Sequence, residues 1–350
     1  MRTTVGGATE LMSQLLRAAG MPERPACRTA WAVVTAEAWG KRSHGLLRVP
    51  YYLARFAAGG SDARASLRTV RDTGPLVALD GGNGLGHWQV WDAAALAAER
   101  AGRFGVAAVS VGNSGHCGAL GCYVLPMVDH GLAGVVFSNG PAVMPPWGGH
   151  EAVFSTSPIA AGIPARPRPA IVDLATSAVA RGSVAEAAAA GRDLPDGWAF
   201  DADGAPTTDP AAALAGMLAP MAGAKGAALA FLVEALTGGV VGPSLATEVA
   251  DPLAGSTIAD PQRIAHLVIA LDPRSLDVDG HGEERLTRLA DRIAAAGGRL
   301  PGAGHPLPSE LDGDHHLDVA DKLAQRLAAE ADRLNVPLPP AWPRSLTAIP

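Results

Sequence analysis

The chain has 350 residues, 48% of them hydrophobic and 18% charged, which suits a folded protein of one large or two modest domains and excludes a disordered one. Its 28 basic and 34 acidic side chains leave a net charge of −6, so there is no basic field to draw a nucleic acid. Three cysteines, an odd and small number, do not make a disulfide framework and point to a reducing compartment.

The opening stretch MRTTVGGATELMSQLLRAAGM lacks the continuous apolar core and small-residue cleavage site of a signal peptide, so a soluble, cytoplasmic protein is expected. Apolar residues recurring every three or four positions predict helices across 8–40, with Gly20 and Gly40 as stops, and a further helix over 51–58. The runs LVALD, VAAVSV, AGVVFSN, PAIVDLA and IAHLVIALDP, separated by turn residues, predict strands. The uncharged span 104–128 is long enough to cross a bilayer but is broken by Asn113, Ser114, His116 and glycines, so no membrane partner is expected. A helix is predicted from about Gly226 to Gly238, with Lys225 in front of it. EERLTRLADRIAAAG and DVADKLAQRLAAEADRLN predict two more. The expected organisation is a helical part made from both chain ends, residues 1–72 with 283–350, around a sheet-containing part over 73–282.

Several segments carry residues able to do chemistry. VAAVSVGNSGHCGALGCYV runs from a strand into a glycine-rich loop, but its glycines fall at 112, 115, 118 and 121, which is not the dinucleotide fingerprint. In KRSHGLLRVPYY, His44 can move a proton near neutral pH and Arg48 can grip a carboxylate with two parallel hydrogen bonds. Taken alone, Ser43 as a helix cap and Arg48 as a surface charge account for the same residues, and His116 equally fits hydrogen-bonded scaffolding. A lysine at the front of a helix opposes the helix dipole, so Lys225 favours a bound anion or a local acid. DLATSAVARGS follows a strand and sets Asp173, Thr176 and Ser177 in sequence, while STSP is a short polar turn. Cys117 and Cys122 lack further ligands nearby, and HGEE and DHH lack the spacing of a zinc hydrolase, so no metal is expected.

In order, the segments SHGLLRVPYY, DGGNGLGHW, VGNSGHCGALGCYV, FSNGPAVMPPWGG, STSPIA, IVDLATSAVARGSV, LPDGWAFDADGAPTTDP and MAGAKGAAL resemble the type-2 malate and L-lactate dehydrogenase family over nearly the whole chain. Relatives in that family include ureidoglycolate dehydrogenase, sulfolactate dehydrogenase and Δ1-piperideine-2-carboxylate reductase. The resemblance implies a mixed α/β, non-Rossmann sheet domain with a helical domain. It also implies a homodimer with its active site between domains, NAD or NADP as cofactor, and a small 2-oxo or 2-hydroxy acid or cyclic imino acid as substrate. By the same resemblance His44, supported by Ser43, and His116 are catalytic, and Arg48 and Tyr52 bind substrate. Ser114, Gly118, Thr156, Asp173, Leu174, Ala175, Thr176, Lys225, Pro301 and Gly302 fall on cofactor-contacting positions. The chain departs from the family at Cys117, where an aromatic is usual, at Ser157 in place of asparagine, and at Ala227 in place of tyrosine. Pro141 stands where a ureidoglycolate enzyme has an acid. A non-catalytic descendant that binds a nucleotide or metabolite is the alternative, supported only by those small substitutions.

Overall fold

The structure is a computed structural model that describes residues 1–251, 258–340 and 342, so the far end of the expected helical part, 343–350, lies outside the described residues. The chain begins with β1 (Arg2–Thr4), α1 (Val5–Ala18), α2 (Glu23–Ala38) and α3 (Val49–Ala58). Thr4 caps α1 by accepting from the Gly7 N–H at 3.1 Å, and Gly20 and Gly40 adopt positive φ at the predicted stops. Next come β2 (Arg68–Asp72), β3 (Leu76–Asp80), α4 (Gly86–Phe104), β4 (Val106–Ser114), α5 (Leu125–Val128), β5 (Ala133–Ser138), β6 (Ile159–Ile163) and β7 (Ala170–Leu174). A smaller region follows: α6 (Arg181–Ala189), β8 (Ala199–Phe200), β9 (Pro206–Thr207), α7 (Pro210–Ala215), β10 (Met217–Leu218) and α8 (Ala224–Glu234). The remainder is β11 (Ile264–Leu271), α9 (Gly282–Ala295), β12 (His316–Asp318) and α10 (Asp321–Arg333).

The main sheet has seven strands in the order β2-β3-β4-β11-β5-β6-β7. β3 and β4 run parallel, joined by α4 as a crossover, and every other neighbouring pair in this sheet is antiparallel. A doubly wound dinucleotide fold needs a mostly parallel sheet, so the mixed sheet agrees with the failed glycine fingerprint. The helix α4 turns an alanine-rich face, Ala93, Ala94, Ala97 and Ala101, onto Val109 and Val268, and these short side chains bring helix and sheet close together.

Directions in this sheet gather one set of ends. The C-termini of β4, β5 and β7 and the N-termini of β6 and β11 all lie on the same side, because Ser114 pairs with Ile264, Phe137 with Ile159, and Ile159 with Leu174. A register shift between Ile264 and His266 bends this edge beside Ser114.

A second core joins the chain ends. Leu11, Leu15 and Leu16 of α1 and Val33 and Val34 of α2 pack with Leu46, Tyr52, Leu317 and Leu327, and β1 pairs antiparallel with β12. The helix α9 does not enter that core: among the described residues Ala290 alone of it is buried, and Glu283 pairs with Arg166 at 3.1 Å. Among the described residues no helix is long and apolar enough to cross a membrane.

Candidate active site

Two short helical turns after α2, at Arg42–His44 and Leu46–Arg48, present Ser43, His44 and Arg48. They hang from α2 through one carboxylate. Glu37 is buried and accepts from the Leu46 N–H at 3.0 Å, and burial raises its carboxyl above the usual range while the Leu46 bond and Arg42 pull it back. Gly45 leaves the room for it, since a Cβ there would stand 2.2 Å from Glu37 Oε2.

His116 comes from the opposite side, just past the end of β4. Its ring stacks on that of His44 with centroids 5.8 Å apart and planes within 16°. Ser43 Oγ lies 3.0 Å from His44 Nδ1, and Arg48 Nε donates to Ser43 O at 2.8 Å. The two terminal guanidinium nitrogens of Arg48 have no partner among the described residues. Arg48 is close enough to lower the proton affinity of both rings. Two imidazoles and one guanidinium, distant in the chain, therefore meet in one cluster.

Burial governs the imidazoles. It pulls His44 down to about 4, with Arg48 and then Lys41 adding to the fall and Asp173 opposing it. His116 is held well below the usual histidine value by burial first and then by Arg48 and its histidine neighbours. His87 and His266 are pulled down by burial to about 3 and about 4 respectively. In the free protein these rings are neutral at pH 7.

The polar side of the cluster is built on β7. Lys41 forms a short ion pair with Asp173, whose side chain is 9% exposed. Gly121 permits this approach, because a Cβ there would lie 2.9 Å from Asp173 Cβ. Thr176 is fully buried, and both its N–H and its hydroxyl donate to Thr156 O, at 2.9 and 3.1 Å. Ile171 N–H donates to Pro301 O at 2.9 Å, and Gly302 sits against Ile171 where a Cβ would be 2.8 Å away. Leu174 is exposed at the end of β7 and Ala175 is half-buried behind it. The segments around 156, 173–176 and 301–302 are thus neighbours on one edge.

Lys225 adjoins them through Met221, whose N–H donates to Thr176 O at 2.8 Å. The helix α8 starts at Ala224, earlier than the expected Gly226, because Gly223 takes a φ of 63° and turns the chain into it. Lys225 therefore stands exposed inside the first turn rather than ahead of it. An exposed ammonium in the first turn of a helix, next to a turn that bonds Thr176, is a donor that suits an anionic dinucleotide.

Two expected contacts are occupied by the protein itself. Tyr52, expected at the substrate, is fully buried, with its hydroxyl 2.8 Å from His116 Nδ1 and 3.4 Å from His87 Nε2. Ser114, expected at the cofactor, is buried, donating to Gln89 Oε1 at 2.6 Å and lying 3.1 Å from His266 Nε2. Gly118, by contrast, needs to be glycine: its φ is 73° and a Cβ would stand 2.9 Å from His87 Nε2. Ser157 holds a φ of 42°, in the left-handed region that favours the asparagine usual in the family. Sequence reasoning gave no role to Lys41, His87, Gln89, Gln262 or His266. Lys41 stood inside a quoted motif beside Ser43, but its partner lies 132 positions away.

Comparison with known proteins gives the chain its family. The family model described as malate/L-lactate dehydrogenase matches residues 4–315. The chain is 38% identical over 330 residues to a (2R)-3-sulfolactate dehydrogenase (NADP(+)) of Chromohalobacter salexigens, covering 93% of this chain and 96% of that one. It is 35% identical over 319 residues to a Δ1-pyrroline-2-carboxylate reductase of Ancylobacter novellus, covering 89% of each. The structure of Δ1-piperideine-2-carboxylate reductase from Pseudomonas syringae is similar with a TM-score of 0.87 at 30% identity, over 95% of this chain and 100% of that one. On this footing the chain is an oxidoreductase that belongs to the malate/L-lactate dehydrogenase family.

Proposed function

We propose that the protein transfers a hydride between NAD(P)H and a small 2-oxo or 2-hydroxy acid, of the malate, lactate or sulfolactate type, or a cyclic imino acid. The observation that carries this reading is the meeting of His44, His116 and Arg48 in one cluster. A nicotinamide dinucleotide, when bound, supplies or accepts the hydride at C2. Asp173, Leu174, Ala175, Thr176, Thr156, Gly118, Pro301, Gly302 and Lys225 are the residues proposed to hold it, Lys225 through its ammonium and Asp173 through a carboxylate fixed by Lys41.

The chain's own residues do the rest. Arg48 has free guanidinium nitrogens to hold the acid's carboxylate in a two-point grip. Ser43 occupies His44 Nδ1, which leaves Nε2 to exchange the proton with the C2 oxygen or nitrogen. A neutral His44 is ready to accept that proton when a hydroxy acid is oxidised. A carboxylate bound at Arg48 favours the charged ring that reduction needs. Exclusion of water by the buried imidazoles strengthens each of these interactions.

The parts 1–72 with 283–350 and 73–282 are our reading of the domains, supported by the separate core that joins the chain ends. A homodimer is our reading of the assembly. It is supported by large apolar side chains left exposed on α8 and the turn after it, Phe231, Leu232 and Val240. Cytoplasmic location rests on the sparse, unpaired cysteines.

The test is oxidation of NADH and of NADPH with pyruvate, oxaloacetate, oxoglutarate, sulfopyruvate, Δ1-pyrroline-2-carboxylate and Δ1-piperideine-2-carboxylate. Turnover with at least one is expected, and none with any would overturn the reading.

A further inference from the structure

The two stacked imidazoles differ in what touches their Nδ1 atoms. At His44 the neighbour is a serine hydroxyl, which can donate or accept, so that ring is free to carry its proton on either nitrogen. At His116 the neighbour is the backbone N–H of Gly118, at 3.3 Å, and a backbone N–H can only donate. Nδ1 of His116 is therefore a lone pair. The Tyr52 hydroxyl, 2.8 Å from the same atom, must then point its proton at it. That leaves the Tyr52 oxygen to accept, and His87 Nε2 at 3.4 Å is the donor facing it. His87 Nδ1 is buried without a partner, which suits a bare lone pair far better than an N–H. Gly118 is glycine where any side chain would press on His87 Nε2, so the chain keeps this approach open.

We infer that His87 and Tyr52 form a one-way hydrogen-bond chain that locks His116 as the neutral tautomer with its proton on Nε2, making His116 a fixed hydrogen-bond donor to the substrate's C2 oxygen or nitrogen and leaving His44 as the proton carrier. The inference rests on the hydride-transfer reading above for the word substrate, but not for the tautomer. His116 is a catalytic residue in this account, and Tyr52 and His87 are positioning residues. A donor held in place costs no reorganisation as charge develops on the C2 heteroatom.

The experiment is nitrogen-15 NMR of the histidine rings in the full chain at pH 7, for the wild type and for Tyr52→Phe, His87→Phe and His87→Gln, with steady-state kinetics on the same proteins. The expected wild-type signature is an unprotonated Nδ1 and a protonated Nε2 at His116. Both variants keep the long 3.3 Å bond from the Gly118 N–H but lose the short Tyr52 donor or free its hydroxyl to turn away, so Tyr52→Phe and His87→Phe should admit the second tautomer and lower kcat roughly tenfold with KM changed less than about twofold. His87→Gln keeps an N–H facing Tyr52 and should restore the single tautomer, with kcat within about threefold of wild type. A proton on Nδ1 of wild-type His116, an averaged pair of tautomers there, or signals that neither phenylalanine variant changes would overturn the inference. If a variant fails to fold, the wild-type signature decides alone. If no acid is turned over, the function reading falls while the tautomer signals still judge the lock.

Discussion

The residue cluster of the candidate site has two unlike sides. On one, His44, His87, His116 and Tyr52 crowd together, and burial strips charge from all three imidazoles. On the other, Lys41 and Asp173 keep opposite charges in contact, and Lys225 stands exposed. On the proposed function, the difference would let one protein hold two kinds of ligand at once. A dry, neutral wall suits the atoms that exchange a proton and a hydride, while paired and exposed charge suits a ligand that brings its own phosphates and hydroxyls.

The largest effect expected on this contrast comes from the dry side. His44→Ala should lower kcat by about 10² to 10⁴ and remove the acid limb of the pH–rate profile, whereas His116→Ala should lower kcat and keep that limb. A limb that survives in His44→Ala and vanishes in His116→Ala would reverse the two roles. Arg48→Lys keeps the charge and loses the two-point geometry, so KM for the acid should rise roughly tenfold to a hundredfold while KM for the dinucleotide stays near its starting value. Equal changes in both would remove Arg48 from the carboxylate.

The dry side also sets acid stability. Folded His87 and His266 hold protons only near pH 3 and 4, while the unfolded chain takes them up near 6.5. Between those values the unfolded state binds more protons, so stability is full above about pH 6.5 and is lost as pH falls toward 4. These two residues alone should cost about 2 to 3 kcal/mol between pH 7.5 and about 5.5, read from urea midpoints, and His87→Gln should recover about 1 kcal/mol of it. The smallest effect links the two sides. Lys41 lowers His44 and Asp173 raises it, so the acid limb should move up in Lys41→Met and down in Asp173→Asn, each by roughly one unit or less. Shifts in the same direction would break the connection.

Much of this was legible before any coordinates. The strand runs are apolar and β-branched, and the stops at Gly20 and Gly40 are glycines whose positive φ ends a helix, so local chemistry specified them. Short β8, β9 and β10 left no such trace, because two residues carry no period. The helices α9 and α10 have the same amphipathic texture, yet one enters the core of the chain ends and the other stays largely exposed. Periodicity fixes that a helix has an apolar face, and it does not say what covers it.

In the site, His44, Arg48 and His116 stood out because their residue types and motifs carried chemistry. His87 and Lys41 did not, since each acts through a partner far along the chain, Tyr52 35 positions away and Asp173 132 away. Tyr52 and Ser114 fell on ligand-contacting motif positions, but their hydroxyls are spent inside the protein.

The Glu37 carboxylate that fills the space left by Gly45 ties the first imidazole to the helical layer, while the second rides on the sheet. The reacting groups thus sit on two packed clusters that meet along α2, which gives Ala32 and Ala36 to one and Val33 and Val34 to the other. A strain that shifts α2 against the sheet would therefore change the spacing of the two rings before either cluster opens.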